Sequence, residues 1–372
     1  MFALAVPAGP VSALQVVWLI LVCVLWIGFF FLEGFDFGAG MLVPFLGKDD
    51  RQRRVVLNTI GPHWNGNEVW LLTAGGAMFA AFGGWYATLF SGLYLPLFLV
   101  LLGLILRGVA IEYRGKRDDA IWRKTWDWLL AVGSLLPALV FGVGFANFLK
   151  GLPVAGHQTA FGTTVPLYAG TFWGLFTPFA LLGGLLFVAL FLTHGLFFIA
   201  LKTRGVVHDR ARSWGTTIGA VAGVLLIAFV IWGNLHKTLP GQLGGLRTAA
   251  WILGIVAILA LGFAWFMNWV GRDGWAFIGT ALTVVTLIAM FFAHFYPGLG
   301  FDNSLAMDTP LDITTASSSP MTLKIMTIAA ACLVPIVLAY QIWSFWLFRR
   351  RISTRNIPGS GSEIDDYDAA VA

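Results

Sequence analysis

Gly61-Pro-His-Trp-Asn-Gly-Asn-Glu-Val-Trp70 places His63, Asn65, Asn67 and Glu68 inside a chain that is otherwise as apolar as lipid. How this stretch is read decides the fold. Of the 372 residues, 58% are hydrophobic and 11% are charged, with a mean hydropathy of +0.82. Soluble domains carry about 25% charged residues, so the composition defines an integral membrane protein. At membrane depth an ionisable side chain costs roughly 2.5–3.5 kcal/mol on insertion scales and faces the protein interior or a water path. On a regular helix Asn65 and Glu68, three apart, share one face.

Spans of about 20 mostly apolar residues follow outward from that stretch in both directions. The sequence predicts an all-α fold of nine transmembrane helices. They run at about 11–46, 55–82, 86–113, 122–149, 168–202, 214–234, 249–270, 274–296 and 321–348. Residues 1–350 form a single polytopic transmembrane domain, and 351–372 form a Gly/Ser-rich, then acidic, disordered cytoplasmic tail. The boundary between the second and third spans rests on the Gly pair in Phe82-Gly-Gly-Trp85.

Charge sets the orientation. No Lys or Arg precedes Lys48, so the first span reads as a retained helix rather than a signal peptide, with its N-terminus outside. The loops after odd-numbered spans, with the C-terminal segment, then collect 19 of the 23 Lys and Arg residues. That asymmetry predicts a cytoplasmic C-terminus. It also explains the net charge of +5 without any nucleic-acid partner. The outer loops at 151–167, 235–248 and 297–320 are too short for separate domains. Cys23 and Cys332 lie in apolar spans and read as packing residues.

Candidate chemistry lies in spans one to three. Glu33 and Asp36 are three apart near the inner half of the first span, Asn65 and Glu68 are on the second, and Arg107 and Glu112 are on the third. Two readings stand side by side: a hydrated proton path built from buried carboxylates, or ion pairs that anchor helix ends. Arg107 is placed to pair with a carboxylate on a neighbouring helix. His63, His194 and His294 raise a third reading, axial ligation of a b-type haem between facing helices. His157, His208 and His236 read as loop or interface residues. The spacing gives no haem-attachment motif, phosphate loop or zinc-type cluster. A transporter reading would use Glu33, Asp36 and Glu68 as coupling sites, but no inverted repeat or pair of broken helices supports it.

Four segments together resemble subunit II of cytochrome bd-type quinol oxidases. They are Glu33-Gly-Phe-Asp-Phe-Gly-Ala-Gly-Met-Leu42, Gly61 to Ala77, Arg107 to Arg114, and Trp122-Arg-Lys-Thr-Trp-Asp-Trp128. The similarity is dense over about 30–150 and returns at Ser317–Met326 and in the last span. It implies a nine-helix subunit of the bacterial plasma membrane, paired with a similarly folded subunit I and possible small accessory subunits. The complex oxidises quinol and reduces oxygen to water in aerobic respiration. The two haem b, the haem d and the quinol site are expected in subunit I, leaving this chain without a catalytic residue, cofactor or metal. The resemblance further implies that Trp70 lies by an oxygen route and that Asn65, Arg107 and Glu112 lie along a cytoplasmic proton route. Some family members carry an aspartate where this chain has Asn65. An amide exchanges no proton, so Glu68, one turn on, is expected to take the acid's place, with Glu33 and Asp36 as further members of the path.

Overall fold

The computed structural model describes residues 9–160, 163–235, 244–305 and 310–357. Ser12 caps the first helix, α1 (Ala13–Leu46), in a reciprocal capping box with Gln15. At about 1.5 Å per residue its 34 residues span about 51 Å, well beyond the ~30 Å hydrocarbon core. The chain continues through α2 (Asp50–Ile60), α3 (Trp64–Ala81), α4 (Gly83–Gly92), α5 (Tyr94–Tyr113) and α6 (Ala120–Lys150). Strands β1 (Leu152–Ala160) and β2 (Thr163–Tyr168) follow, then α7 (Pro178–Lys202), α8 (Val206–Leu235), α9 (Gly244–Trp269), α10 (Asp273–Phe295), β3 (Phe301–Leu305) and α11 (Pro320–Leu347).

Among the described residues eight helices are long and apolar enough to cross a membrane: α1 and α5 to α11. The second and third spans, expected as unbroken helices, are corrected by the structure. Gly61-Pro62-His63 separates α2 from α3, because proline lacks the N–H that a continuing helix needs. α2 is amphipathic, burying Val55, Val56 and Ile60 while its arginines face outward or into ion pairs. Helix α3 ends at Phe82, as the Gly pair suggested, but a second break at Leu93 divides the expected third span into α4 and α5.

The all-α expectation also needs correction on the side of the outer loops. β1 pairs with β2 antiparallel and with β3 in parallel, giving the order β2-β1-β3. Two loop segments far apart in sequence are joined by this small sheet at Leu152↔Phe301. The stretch 310–319 packs back on the end of α3. Ser318 donates from its backbone N to the Ala81 carbonyl and from Oγ to the Ala80 carbonyl. Those carbonyls would otherwise end the helix unpaired.

Helix α1 is central and packs against α3, α6, α7 and α10. Its crossing with α7 is close because Gly38 meets Gly195. A Cβ on Gly38 would lie 1.9 Å from the Phe191 carbonyl oxygen. Small residues of this kind let membrane helices approach without a hydrophobic driving force. Beside the crossing Phe29, Phe30, Phe141, Phe145, Phe187 and Phe191 interlock edge to face. α11 is different: its most apolar 18-residue window is 0% buried, against 78% for α7. It touches the bundle along α1 and α3, where the Trp18 indole donates to the Leu323 carbonyl and Thr327 Oγ1.

Residues 351–357 do not leave the bundle. Ile352 bridges to Thr203, and Arg51 donates to the carbonyls of Thr354 and Ile357. The tail expected from 351 therefore begins with a segment packed on the bundle; its acidic portion lies outside the described residues.

Candidate functional site

The apolar helices supply almost no hydrogen-bonding side chains at depth, so the polar residues there find one another. Arg107 on α5 is fully buried. Its Nη1 lies 2.7 Å from Glu33 Oε2 and its Nη2 donates to Glu33 Oε1 at 3.3 Å, a forked pairing. The same guanidinium is 3.8 Å from Asp36 and 3.6 Å from Glu68, and it lies over the Phe37 ring at 5.0 Å. Glu33 and Asp36 share a face of α1 as their spacing predicted, and both are fully buried. The Glu68 side chain on α3 is 27% exposed. Asp36 sits ten residues before the end of α1, about 15 Å along the axis, and Glu33 about 20 Å.

Two amides complete the cluster. Asn67, fully buried, donates from Nδ2 to Asp36 Oδ2 at 2.7 Å and accepts from Gln341 Nε2 at 3.0 Å. Sequence reasoning passed over both. Asn67 was legible in the same polar stretch as Asn65, and Gln341 as an amide within the otherwise apolar last span.

Two expected members are not brought in. Asn65 is exposed. Residues 65 and 67 point about 200° apart around a helix, so only one can face α1, and the tertiary packing selects Asn67. Glu112 is exposed near the end of α5, one and a half turns from Arg107. Trp70 is half-buried and lies against Gly28 of α1, where a Cβ would meet the indole at 2.2 Å.

His63, His194 and His294 sit in separate surroundings. Both ring nitrogens of His194 are occupied, Nδ1 with Thr280 Oγ1 at 2.7 Å and Nε2 with the Phe31 carbonyl at 3.1 Å. His294 Nε2 pairs with Asn234 Oδ1 at 3.2 Å. His63 lies flat against Phe345 at 4.1 Å with Phe348 edge-on at 5.6 Å. Among the described residues no group of three His, Cys, Asp or Glu is placed to hold a metal.

A second ion cluster lies where the basic residues gather. Asp273, at the start of α10, is 2.7 Å from Arg351, 3.1 Å from His208 Nε2 and 3.8 Å from Arg212. Nearby, Asp127 pairs with Arg114 and Arg53, and Asp50 with Arg114 and Arg123. His208, expected as a loop or interface residue, is thus an ion-pair member.

Long apolar helices around a buried arginine–carboxylate cluster define a polytopic membrane protein. The chain belongs to the cytochrome bd terminal oxidase subunit II family, whose sequence pattern matches residues 14–348. It is 40% identical over 342 residues to "Cytochrome bd ubiquinol oxidase subunit 2" of Bacillus subtilis (strain 168), covering 92% of this chain and 98% of that one. It is 36% identical over 382 residues to "Cytochrome bd-I ubiquinol oxidase subunit 2" of Escherichia coli (strain K12), covering 93% and 97%. In solved structures the fold matches a chain of the bd oxidase from Geobacillus thermodenitrificans with a TM-score of 0.68, covering 90% of this chain and 99% of that one at 18% identity. The chain is therefore a multi-pass plasma-membrane subunit of a terminal quinol oxidase, an oxidoreductase complex of the respiratory chain. Haem and quinol belong to that complex, which implies a subunit I partner.

Proposed function

We propose that this subunit carries protons from the cytoplasm toward the haem-bearing partner and borders its oxygen route, without ligating haem itself. One observation supports the proton role above the rest: a single guanidinium serves three carboxylates at membrane depth. If all three were ionised, two negative charges would stay uncompensated, at several kcal/mol each. A set with fewer cations than acids holds exchangeable protons instead. Glu68, the one partly exposed acid, is the member placed to exchange with water and to substitute for the family aspartate at Asn65. Asn65 and Glu112, both exposed, serve the mouth of the path, whereas Glu33, Asp36 and Arg107 form its interior.

The same geometry supports a reading of where the partner sits. Asn65 and the exposed edge of Glu68 cannot face hydrocarbon without the cost of bare polar groups in lipid. The α3–α11 side, with Trp70 beside Gly28 on it, is the proposed contact with the haem-bearing subunit I and the proposed edge of the oxygen route. On this reading α3 with α4 supplies a ninth crossing, and the arginine-rich side is cytoplasmic. Membership of an oxidase family leaves the independent transporter reading without support.

The test is Glu68→Gln in the assembled complex. A fall in quinol-driven oxygen uptake with haem content unchanged supports the proposal. Uptake equal to the parent's means Glu68 is not the working acid.

A further inference from the structure

His63 is 3% exposed, yet neither ring nitrogen has a hydrogen-bond partner in the protein. A neutral imidazole has one N–H and one lone pair, and leaving both buried and unpaired is costly. The ring is nonetheless firmly held. It lies 4.1 Å from Phe345 with 10° between planes, and Phe348 meets it edge-on. Phe348 in turn gives its carbonyl to the Lys202 ammonium, so this end of α11 is on the basic side of the bundle.

Two residues of α3 and two of α11 meet in step. Gln341 and Phe345 are one turn apart on α11, and they engage Asn67 and His63, one turn apart at the start of α3. The Asn67 N–H donates to the His63 carbonyl at 3.0 Å, and its side chain donates to Asp36 at 2.7 Å. Asp36 Oδ1 is itself buried without a hydrogen bond. His63 thus lies one turn nearer the exposed Gly61-Pro62 turn than Asn67, the residue that holds Asp36, and both the His63 nitrogens and Asp36 Oδ1 are unpaired.

We infer that His63 is the proton-relay residue through which the acid cluster is loaded from the basic side. This rests on the proton role proposed above and names its entry. One ring nitrogen accepts a proton from water on the Gly61-Pro62 side. The other nitrogen releases its proton through water to Asp36 Oδ1, and the ring returns to its starting charge. Asn67 and Gln341, which exchange no proton, hold Asp36 and the end of α11 in position around that step. Each transfer leaves the proton on the entry-side nitrogen, and a half-turn of the ring about Cβ–Cγ, which returns it to the same plane against Phe345, restores the starting tautomer.

The experiment measures quinol-driven oxygen uptake by the assembled oxidase in membrane vesicles carrying His63→Ala, His63→Gln or Glu68→Gln, with and without added imidazole. His63→Ala is expected to slow uptake about a hundredfold with haem content unchanged, and free imidazole is expected to restore a large part of it. His63→Gln, which can hydrogen-bond but cannot relay, should be equally slow and should not respond to imidazole. Parent-like uptake in His63→Gln, or slowing in His63→Ala that imidazole does not relieve, overturns the relay and leaves His63 a packing residue. Loss of haem from both His63 variants overturns it likewise. If Glu68→Gln is slow while the His63 variants run at the parent rate, only the entry is wrong. If all three run at the parent rate, the proton role falls with it.

Discussion

The two ion clusters of this chain are mirror images in charge. Around Arg107, deep in the bundle, one cation meets three acids, Glu33, Asp36 and Glu68. Around Asp273, at the basic end of α10, one acid meets His208, Arg212 and Arg351. Their surroundings differ as sharply as their charge. Arg107, Glu33 and Asp36 have side chains that are 0% exposed, whereas Arg212 and Arg351 are 32% and 34% exposed. Excess cations at a wet face are solvated and cost little, and they fix topology. Excess acids at depth have less of that outlet, and on the proposed function their surplus charge is met by protons. The difference teaches where to look for function: at the cluster whose imbalance water cannot relieve.

The comparison breaks most easily at Arg107. Arg107→Ala leaves the buried Glu33 and Asp36 and the partly exposed Glu68 without a cation, a loss of about 3–5 kcal/mol. The expected outcome is little or no assembled complex, read as haem co-purifying with this chain. Parent-level assembly would mean that the acids already hold their protons without help. Asp273→Ala is the counterpart at the basic end. It leaves partly solvated cations, and a loss of about 1–2 kcal/mol is expected, read as a lower Tm of an otherwise assembled and active complex. If Asp273→Ala proved as damaging as Arg107→Ala, the distinction between the clusters would collapse.

Gln341→Leu sharpens the deep cluster. It removes the hydrogen bond to Asn67 at a cost of about 1 kcal/mol. Loosening of α11 should follow, read as faster proteolysis near its end, with Glu33 and Arg107 still paired. The smallest effect is expected from Arg351→Ala. It removes one half-exposed partner of Asp273 and should change Tm by no more than about 1 kcal/mol equivalent, less at high salt.

Much of this was legible in the chain itself. Length and hydropathy placed most of the crossing helices, because a run of 20 apolar residues has few other fates. Three-residue spacing put Glu33 and Asp36 on one face of α1, and burial cost directed Arg107 to carboxylates of neighbouring helices. The resemblance to the oxidase family rested on contiguous motifs and stood when compared with known proteins. The misplaced members share one cause. Hydropathy averages over a window, so it runs across Gly61-Pro62 and Leu93, where the backbone breaks, and it gives no warning that the 151–167 and 297–320 loops pair as strands.

The sequence by itself determined that the chain lives in a membrane, which residues are too costly to face lipid, and which side collects the arginines. Those follow from composition and local spacing, quantities each segment carries alone. Tertiary structure decided which polar residues meet. It selected Asn67 over Asn65, brought Gln341 and Phe345 across from the last helix, and left Glu112 outside. The physical reason is that rotation of one helix about its axis, against its neighbours, is set by packing between distant segments. Gly38 against Gly195 is such a contact, and no local pattern encodes it.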